Sequence, residues 1–345
     1  MKIPAPTALT MALASVATLV LALAVATSVG SVSIPLRSIQ AIVAHHLFRT
    51  PLDGVPASWE AIVWQVRLPR VLVALLVGMA LSVGGALYQS LLRNPLAEPF
   101  LLGVSGGAGF AAVLVTVTGL TALGSQVLPL GAFAGALAAS GLIVALSRVG
   151  GRLPAANLIL AGVALGSLLS ALTAFTLIRG QGAFETFDLL GWLMGSLAGA
   201  SWPTLRLIAP YIVAPLAATL FLGRAMNVML LGDAPAQHLG LAVERIKALM
   251  LGLAGVLAAA SVAGAGVVGF VGLIVPHAIR LTLGPDNRVL VPLAAVAGGV
   301  FLVACDTLGR VVFAPAEVPV GIVTALFGAP FFLWLLRHRR GVAAV

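Results

Sequence analysis

The chain has 345 residues, of which 61% are hydrophobic and only 8% charged, and its mean hydropathy is +1.14. Ordinary soluble domains carry roughly a quarter charged residues and disordered chains are poor in apolar ones, so both classes are excluded. The net charge of +9 does not mark a nucleic-acid binder, because the basic residues stand singly between apolar runs, as loop charges of a membrane protein do.

In chain order, charge-free intervals mark the membrane spans, since a bilayer core of about 30 Å takes about 20 helical residues. The first interval, 3 to 36, carries an A-x-A-like pair at Ala24 and Ala26. It is nevertheless long for a secretory signal core and has only Lys2 before it, so it reads as a span. Further intervals cover 71 to 92, 99 to 147, 153 to 178, 207 to 223, 248 to 279, 289 to 305 and 318 to 336. The interval 99 to 147 is too long for one helix and breaks at the glycine-containing stretch Thr118 to Gln126. The interval 248 to 279 holds one full helix to about Ala263, then a glycine-rich turn and a shorter helix. The fold class is therefore all-α, a polytopic membrane protein with about ten transmembrane helices. Runs that are apolar on every face exclude a membrane β-barrel, whose strands alternate.

Ten helices with both termini inside place twelve of the 19 basic residues on the cytoplasmic side, from Lys2 to Arg340. The outer side keeps Arg37, Arg49, Arg67, Arg70, Arg179, Arg206 and Arg310, a bias of the expected sign. No interval carries a carboxylate at mid-depth, which argues against a proton relay or a sodium-coupled carrier. A phosphate-cradling loop is absent, so the chain does not hydrolyse nucleotide; a nucleophile with a base, or a zinc-binding histidine pair, is absent too. His45 and His46 are adjacent and diverge, and His277 behind Pro276 reads as a capping or structural group. The single cysteine, Cys305, excludes an intrachain disulfide or a multi-cysteine metal site.

The longest polar interruption is RAMNVMLLGDAPAQHLGLAVERIK, between Gly223 and Ala248. It reads as about two short amphipathic helices joined at Gly232 and Pro235. Physics alone leaves open a solvated connector or a docking element for a cytoplasmic subunit.

The run RLPRVLVALLVGMALSVGGALYQSLLRNPLAEPFLLGVSGGAG, Arg67 to Gly109, resembles the permease subunits of the ATP-binding-cassette importers for cobalamin, haem and ferric siderophores. NLILAGVALG, LGDAPAQHLGL, GFVGLIVPHAIRLTLGPDNRVLVP and EVPVGIVTALFGAPFFLWLL follow in that family's order, so the resemblance spans roughly residues 8 to 340. It implies one permease domain over 1–345, with a cytoplasmic coupling loop at 225–245, located in the bacterial inner membrane. It further implies a homodimer with the passage on its two-fold axis, two cytoplasmic ATPase subunits below and a periplasmic binding protein above. ATP and Mg would bind the ATPase; this chain would hold no cofactor or metal and catalyse nothing.

By the same resemblance Asn227, Leu231, Gly232, Ala236, Leu239, Gly240 and Leu241 couple to the ATPase. Asn94 and Leu96 form a cytoplasmic gate. A second gate, which has small hydroxyl residues in the cobalamin relatives, falls here on Ala155 and Ala156, a departure that weakens a cobalamin assignment. Arg67, Arg70 and Arg310 match arginines that grip glutamates of the binding protein, a bidentate contact that sets register and steers encounter. The passage is lined by the fifth and tenth helices, offering Ser167, Ser170, Thr173, Thr176 and Thr324 on aliphatic walls, with Arg179 near the outer end. A cation there suits an anionic ligand such as haem or an acidic ferric siderophore, unless Arg179 pairs with Glu185 or Asp188. The expected function is import of an iron complex, haem favoured, driven by a partner ATPase; cobalamin import is the alternative. An ATPase-independent channel or carrier, or a structural scaffold, would be a different class altogether.

Overall fold

The computed structural model describes residues 5–30, 32–179, 189–312, 314 and 316–338. Among them, seven helices are long and apolar enough to cross a membrane and three shorter apolar helices join them, in agreement with about ten spans. The chain opens with α1 (Ala5–Ser28) and the short outer helix α2 (Leu36–Phe48). Then α3 (Ala57–Ala61) passes through one π-helical stretch, Ile62–Arg67, into α4 (Leu68–Leu92). A 3-10 turn at Pro99–Leu102 leads to α5 (Val104–Val117), followed by α6 (Val127–Ser147) and α7 (Ala155–Arg179). The second half comprises α8 (Trp202–Met229), α9 (Asp233–His238), α10 (Val243–Ala265), α11 (Val271–Leu283), α12 (Asn287–Val311) and α13 (Val320–His338).

The two breaks expected from glycine fall where chain length demanded them. α5 ends at Val117 and α6 starts at Val127, while α10 ends at Ala265 and α11 starts at Val271. In lipid the apolar effect does not hold helices together, so close packing must, and small residues make that possible. α4 is the buried centre and shows it: a Cβ on Gly78 would lie 2.2 Å from the Gly298 carbonyl oxygen of α12, and one on Gly85 would lie 1.9 Å from that of Gly272 in α11. α10 packs on the same helix through Gly264, set against Val73 and Val77.

These antiparallel neighbours sort the polar groups to two ends. Arg70 of α4 meets Asp306 of α12 at one end, and Ser90 of α4 meets Asn287 of α12 at the other. These are named the outer and the cytoplasmic end after the sides expected from the loop charges.

One boundary differs. The ninth span was expected to stop before Asp306, but α12 continues to Val311 and carries Asp306 and Arg310 inside its last turns. A charge-free criterion ends a span at its first charge; here that charge is neutralised by partners within the fold.

Candidate functional site

At the cytoplasmic end, α8 runs on to Met229, because RAMNVM contains neither Gly nor Pro and the next breaker is Gly232. The polar segment therefore contains one short helix, α9, and not two. Asn227 consequently lies in α8. Its Oδ1 accepts the Asn287 backbone N–H at 2.8 Å and the Asn287 Nδ2 at 2.9 Å, while its own Nδ2 donates to Asp286 at 2.7 Å. This clasp joins α8 to the start of α12, and it corrects the placement of Asn227 in the coupling segment. Hydrogen bonds from Arg288, and then from Asn227, hold the Asp286 carboxyl below the usual carboxylate range.

Beyond α8 the chain turns sharply at Gly232, whose φ of +107° only glycine adopts without strain. α9 then buries Ala236 completely and leaves Leu231 and Leu239 outward, 61% and 66% exposed. Gly240 at φ +83° reverses the chain, and the Leu241 N–H returns to the Ala236 carbonyl at 3.0 Å. The result is a fixed knob with two leucines at its surface, a shape that fits a groove on a partner.

Both candidate gate segments lie at this end. Asn94 Oδ1 accepts the Leu96 N–H at 2.9 Å and closes a tight Asx turn that leaves Leu96 exposed. Ala155 and Ala156 open α7, the first half-buried and the second exposed. The Asn94 turn continues to Glu98, whose carboxylate accepts the Phe270 N–H at 2.6 Å. Phe270 has φ +70°, an unusual left-handed value for a bulky residue, and its ring sits against Gly328 of α13, where a Cβ would be 2.3 Å from Phe270 Cγ. We expect Glu98→Gln, which keeps the acceptor, to preserve the fold, and Glu98→Ala, which orphans that N–H, to lower unfolding stability in detergent by about 1–3 kcal/mol. Equal melting of the two variants would refute this role.

At the outer end the three arginines expected on the rim are buried and engaged within the chain. Arg67 donates to the carbonyls of Thr27 and Ser28, at 2.9 and 3.1 Å, and to that of Val32. It thus caps the last turn of α1, where a cation meets the negative end of the helix dipole. Gly30 leaves room for it, since a Cβ there would lie 2.6 Å from Arg67 Nη2. Arg70 grips Asp306 through Nε at 3.0 Å and Nη2 at 2.9 Å and reaches Glu317 at 2.8 Å. Arg310 Nε lies 3.1 Å from the other Asp306 oxygen, and its Nη2 donates to the Ala26 carbonyl at 3.0 Å. Asp306 itself is 2% exposed. The three arginines expected to grip glutamates of a binding protein, Arg67, Arg70 and Arg310, are thus engaged inside this chain, where they staple α1, α4, α12 and the loop before α13.

The passage residues divide. Ser167, Ser170, Thr173, Thr176 and Arg179 recur every third residue along α7, a spacing that steps each one about 60° further around the helix, so they wind along its surface as an inclined row and do not share one face. Ser167, Ser170 and Arg179 are exposed, while the Thr173 and Thr176 hydroxyls donate to the Leu169 and Leu172 carbonyls at 2.7 and 2.8 Å. Only Leu158 and Gly162 of α7 are buried; Ile159, Ala161 and Leu165 pack half-buried against the core, and much of the remaining surface is exposed. Thr324 does not join the row; it is fully buried and donates to the Gly321 carbonyl. Glu185 and Asp188, the carboxylates nearest Arg179 in sequence, lie outside the described residues. A cavity of about 670 Å³ at the outer end is bordered by Gln126, Trp192, Ser201 and Thr204, with no charged residue among the described residues of its lining.

Comparison with known proteins settles the class. Residues 18–338 match the model of the FecCD transport family. The chain belongs to that family. It is 43% identical over 294 residues to the cobalamin import system permease BtuC of Halobacterium salinarum, covering 85% of this chain and 78% of that one. It is also 41% identical over 291 residues to the hemin transport system permease HmuU of Yersinia pestis, covering 82% and 85%. A solved structure of a metal-chelate type ABC transporter in an inward-facing conformation superposes with a TM-score of 0.83 at 28% identity, covering 95% of this chain and 99% of the other. The chain is thus a multi-pass importer permease of the ATP-binding-cassette class, a transporter subunit rather than an enzyme. Family membership implies ATPase and binding-protein partners.

Several FecCD-permease residues described above were not visible to sequence reasoning. Lys247, Glu244 and Asp233 form an ionic cluster beneath α9, and of its contacts only the three-residue spacing of Glu244 and Lys247 is legible in sequence. Glu98 and Phe270 meet across 172 positions, which no local pattern encodes.

Proposed function

We propose that this permease carries an iron complex, haem in preference to a ferric siderophore, from the outer side of the inner membrane to the cytoplasm as a homodimer. The observation that supports this reading is the polar row on α7. It gives a helix with much exposed surface small hydroxyls that wind along its length, with the exposed Arg179 guanidinium at its outer end. Two copies facing one axis would present two cations to an entering ligand, which complements two carboxylates and gives an uncharged corrinoid face nothing to pair with. The absence of hydroxyls at Ala155 and Ala156 points the same way, and a haem permease stands among the close relatives. Energy would come from ATP hydrolysis on a partner docked at α9, while the chain itself holds no cofactor.

The test is ATP-driven uptake of haemin, a ferric siderophore and cyanocobalamin into proteoliposomes holding the permease, its ATPase and its binding protein, in wild type and Arg179→Ala. A contact between charges in water is worth about 1 kcal/mol, so haemin uptake is expected to fall about fivefold in the variant. Cyanocobalamin carried equally well with and without Arg179, and better than haemin, would remove the substrate reading and leave the importer class intact.

A further inference from the structure

We propose that Lys247 is the positioning residue that makes the coupling helix α9 and both gate segments move as one body. The inference rests on the coupling role of α9 given above and adds the route by which motion of that helix reaches the gates.

The residues form a chain of hydrogen bonds toward α7 and a looser ion pair toward Asn94. Lys247, on the first turns of α10, is 5% exposed, and its ammonium reaches three groups. It donates to Asp233 of α9 at 2.6 Å, to Glu244 at 3.3 Å, and lies 3.5 Å from the Leu153 carbonyl. The other oxygen of Glu244 accepts the Leu153 N–H at 2.9 Å. Leu153 is thereby held through both its backbone groups, two positions before Ala155, where α7 begins. That is one gate.

The second branch leaves from the same carboxylate. Asp233 has its remaining oxygen 4.0 Å from Arg93 Nη2, and a Cβ on Gly232 would lie 2.9 Å from Arg93 Nη1, so the guanidinium lies over the turn into α9. Arg93 ends α4 at φ +50° and immediately precedes Asn94 and Leu96, the other gate. Two cations and two carboxylates thus balance, and a single ammonium stands where α9, α10 and the loop before α7 converge. A buried ammonium shared by three oxygens cannot part from them without leaving an uncompensated buried charge, so it ties their three segments together where a leucine contact would slide.

A passive staple and a transmitting link predict different failures. Losing a staple would loosen the permease and weaken ATPase binding together. Losing a link leaves the ATPase docked and active, with gates that no longer answer it. Cys305 is buried, so a spin label placed at Leu96→Cys or Ala156→Cys reports one gate at a time with little background.

The experiment uses the full permease with its ATPase in nanodiscs, labelled at either gate, and reads the change in inter-protomer label distance distribution on adding ATP. Wild type should respond at both labels. Lys247→Met should still bind the ATPase and support hydrolysis, yet lose the ATP response at both gates by about fivefold or more, and Lys247→Arg should restore it. Should Lys247→Met fail to assemble, Glu244→Gln, on α10 and outside the docking helix, carries the same expectation. Wild-type gate responses in an assembled, hydrolysing Lys247→Met or Glu244→Gln permease would overturn the link while leaving the coupling role of α9 standing. A wild-type permease that binds no ATPase would overturn that role, and the link with it.

Discussion

Gly232→Pro should abolish ATP-driven uptake while the permease still inserts and dimerises. The reason is local. Gly232 holds φ at +107°, and proline fixes φ near −65°, so the turn between α8 and α9 cannot form. Proline also removes the N–H that donates to the Met229 carbonyl at 3.2 Å, and its ring would enter space occupied by the Arg93 guanidinium. α9 would then lose the Ala236 anchor that aims Leu231 and Leu239 outward. The ten apolar helices are untouched by this change, so membrane insertion is expected to be normal. Deleting Ala236 to Leu239 should act alike. Uptake at the wild-type rate in an inserted Gly232→Pro permease would show that α9 has no part in coupling.

The second large effect is expected at Asp306. Its carboxylate accepts hydrogen bonds from the buried Arg70 guanidinium and ion-pairs with that of Arg310, while the partly exposed Glu317 supplies the remaining negative charge. Replacing Asp306 by alanine leaves two buried cations facing each other with Glu317 alone to offset them. Breaking a buried pair from one side costs about 3–5 kcal/mol, far more than the pair adds relative to a well-packed apolar substitute. Unfolding of Asp306→Ala in detergent should therefore shift by that amount, and a combined exchange of Arg70, Arg310 and Asp306 for apolar residues of similar volume should recover much of the loss. A single-variant shift below about 1 kcal/mol would mean that water reaches the network and the burial argument is wrong.

These two sites show how far a sequence can be read. The spans were legible because lipid demands continuous apolar helix, and the breaks after Val117 and Ala265 were legible because glycine clusters cannot sustain one. The turn at Gly232 was legible for the same reason. The fate of the outer arginines was not. Arg70 and Asp306 are separated by 236 positions, and a sequence shows a charge but not what neutralises it. An arginine at a helix start looks the same whether it faces a partner protein or caps α1. Asn227 was misplaced because a polar residue near a loop is ambiguous until its acceptors are known, and Thr324 because a hydroxyl that bonds back to its own helix needs no polar passage. The α7 row, by contrast, lies in plain view as five polar residues at a spacing of three.

The central claim is that this FecCD-family permease moves its ligand only when a partner ATPase works through α9. The most direct measurement compares uptake into proteoliposomes containing the permease and binding protein, with and without the ATPase and ATP. The account predicts accumulation with the ATPase and ATP together, and none when either is left out or when Gly232 is replaced by proline. Ligand entry at an unchanged rate through the permease alone would contradict it, and would make the chain a channel or carrier in its own right.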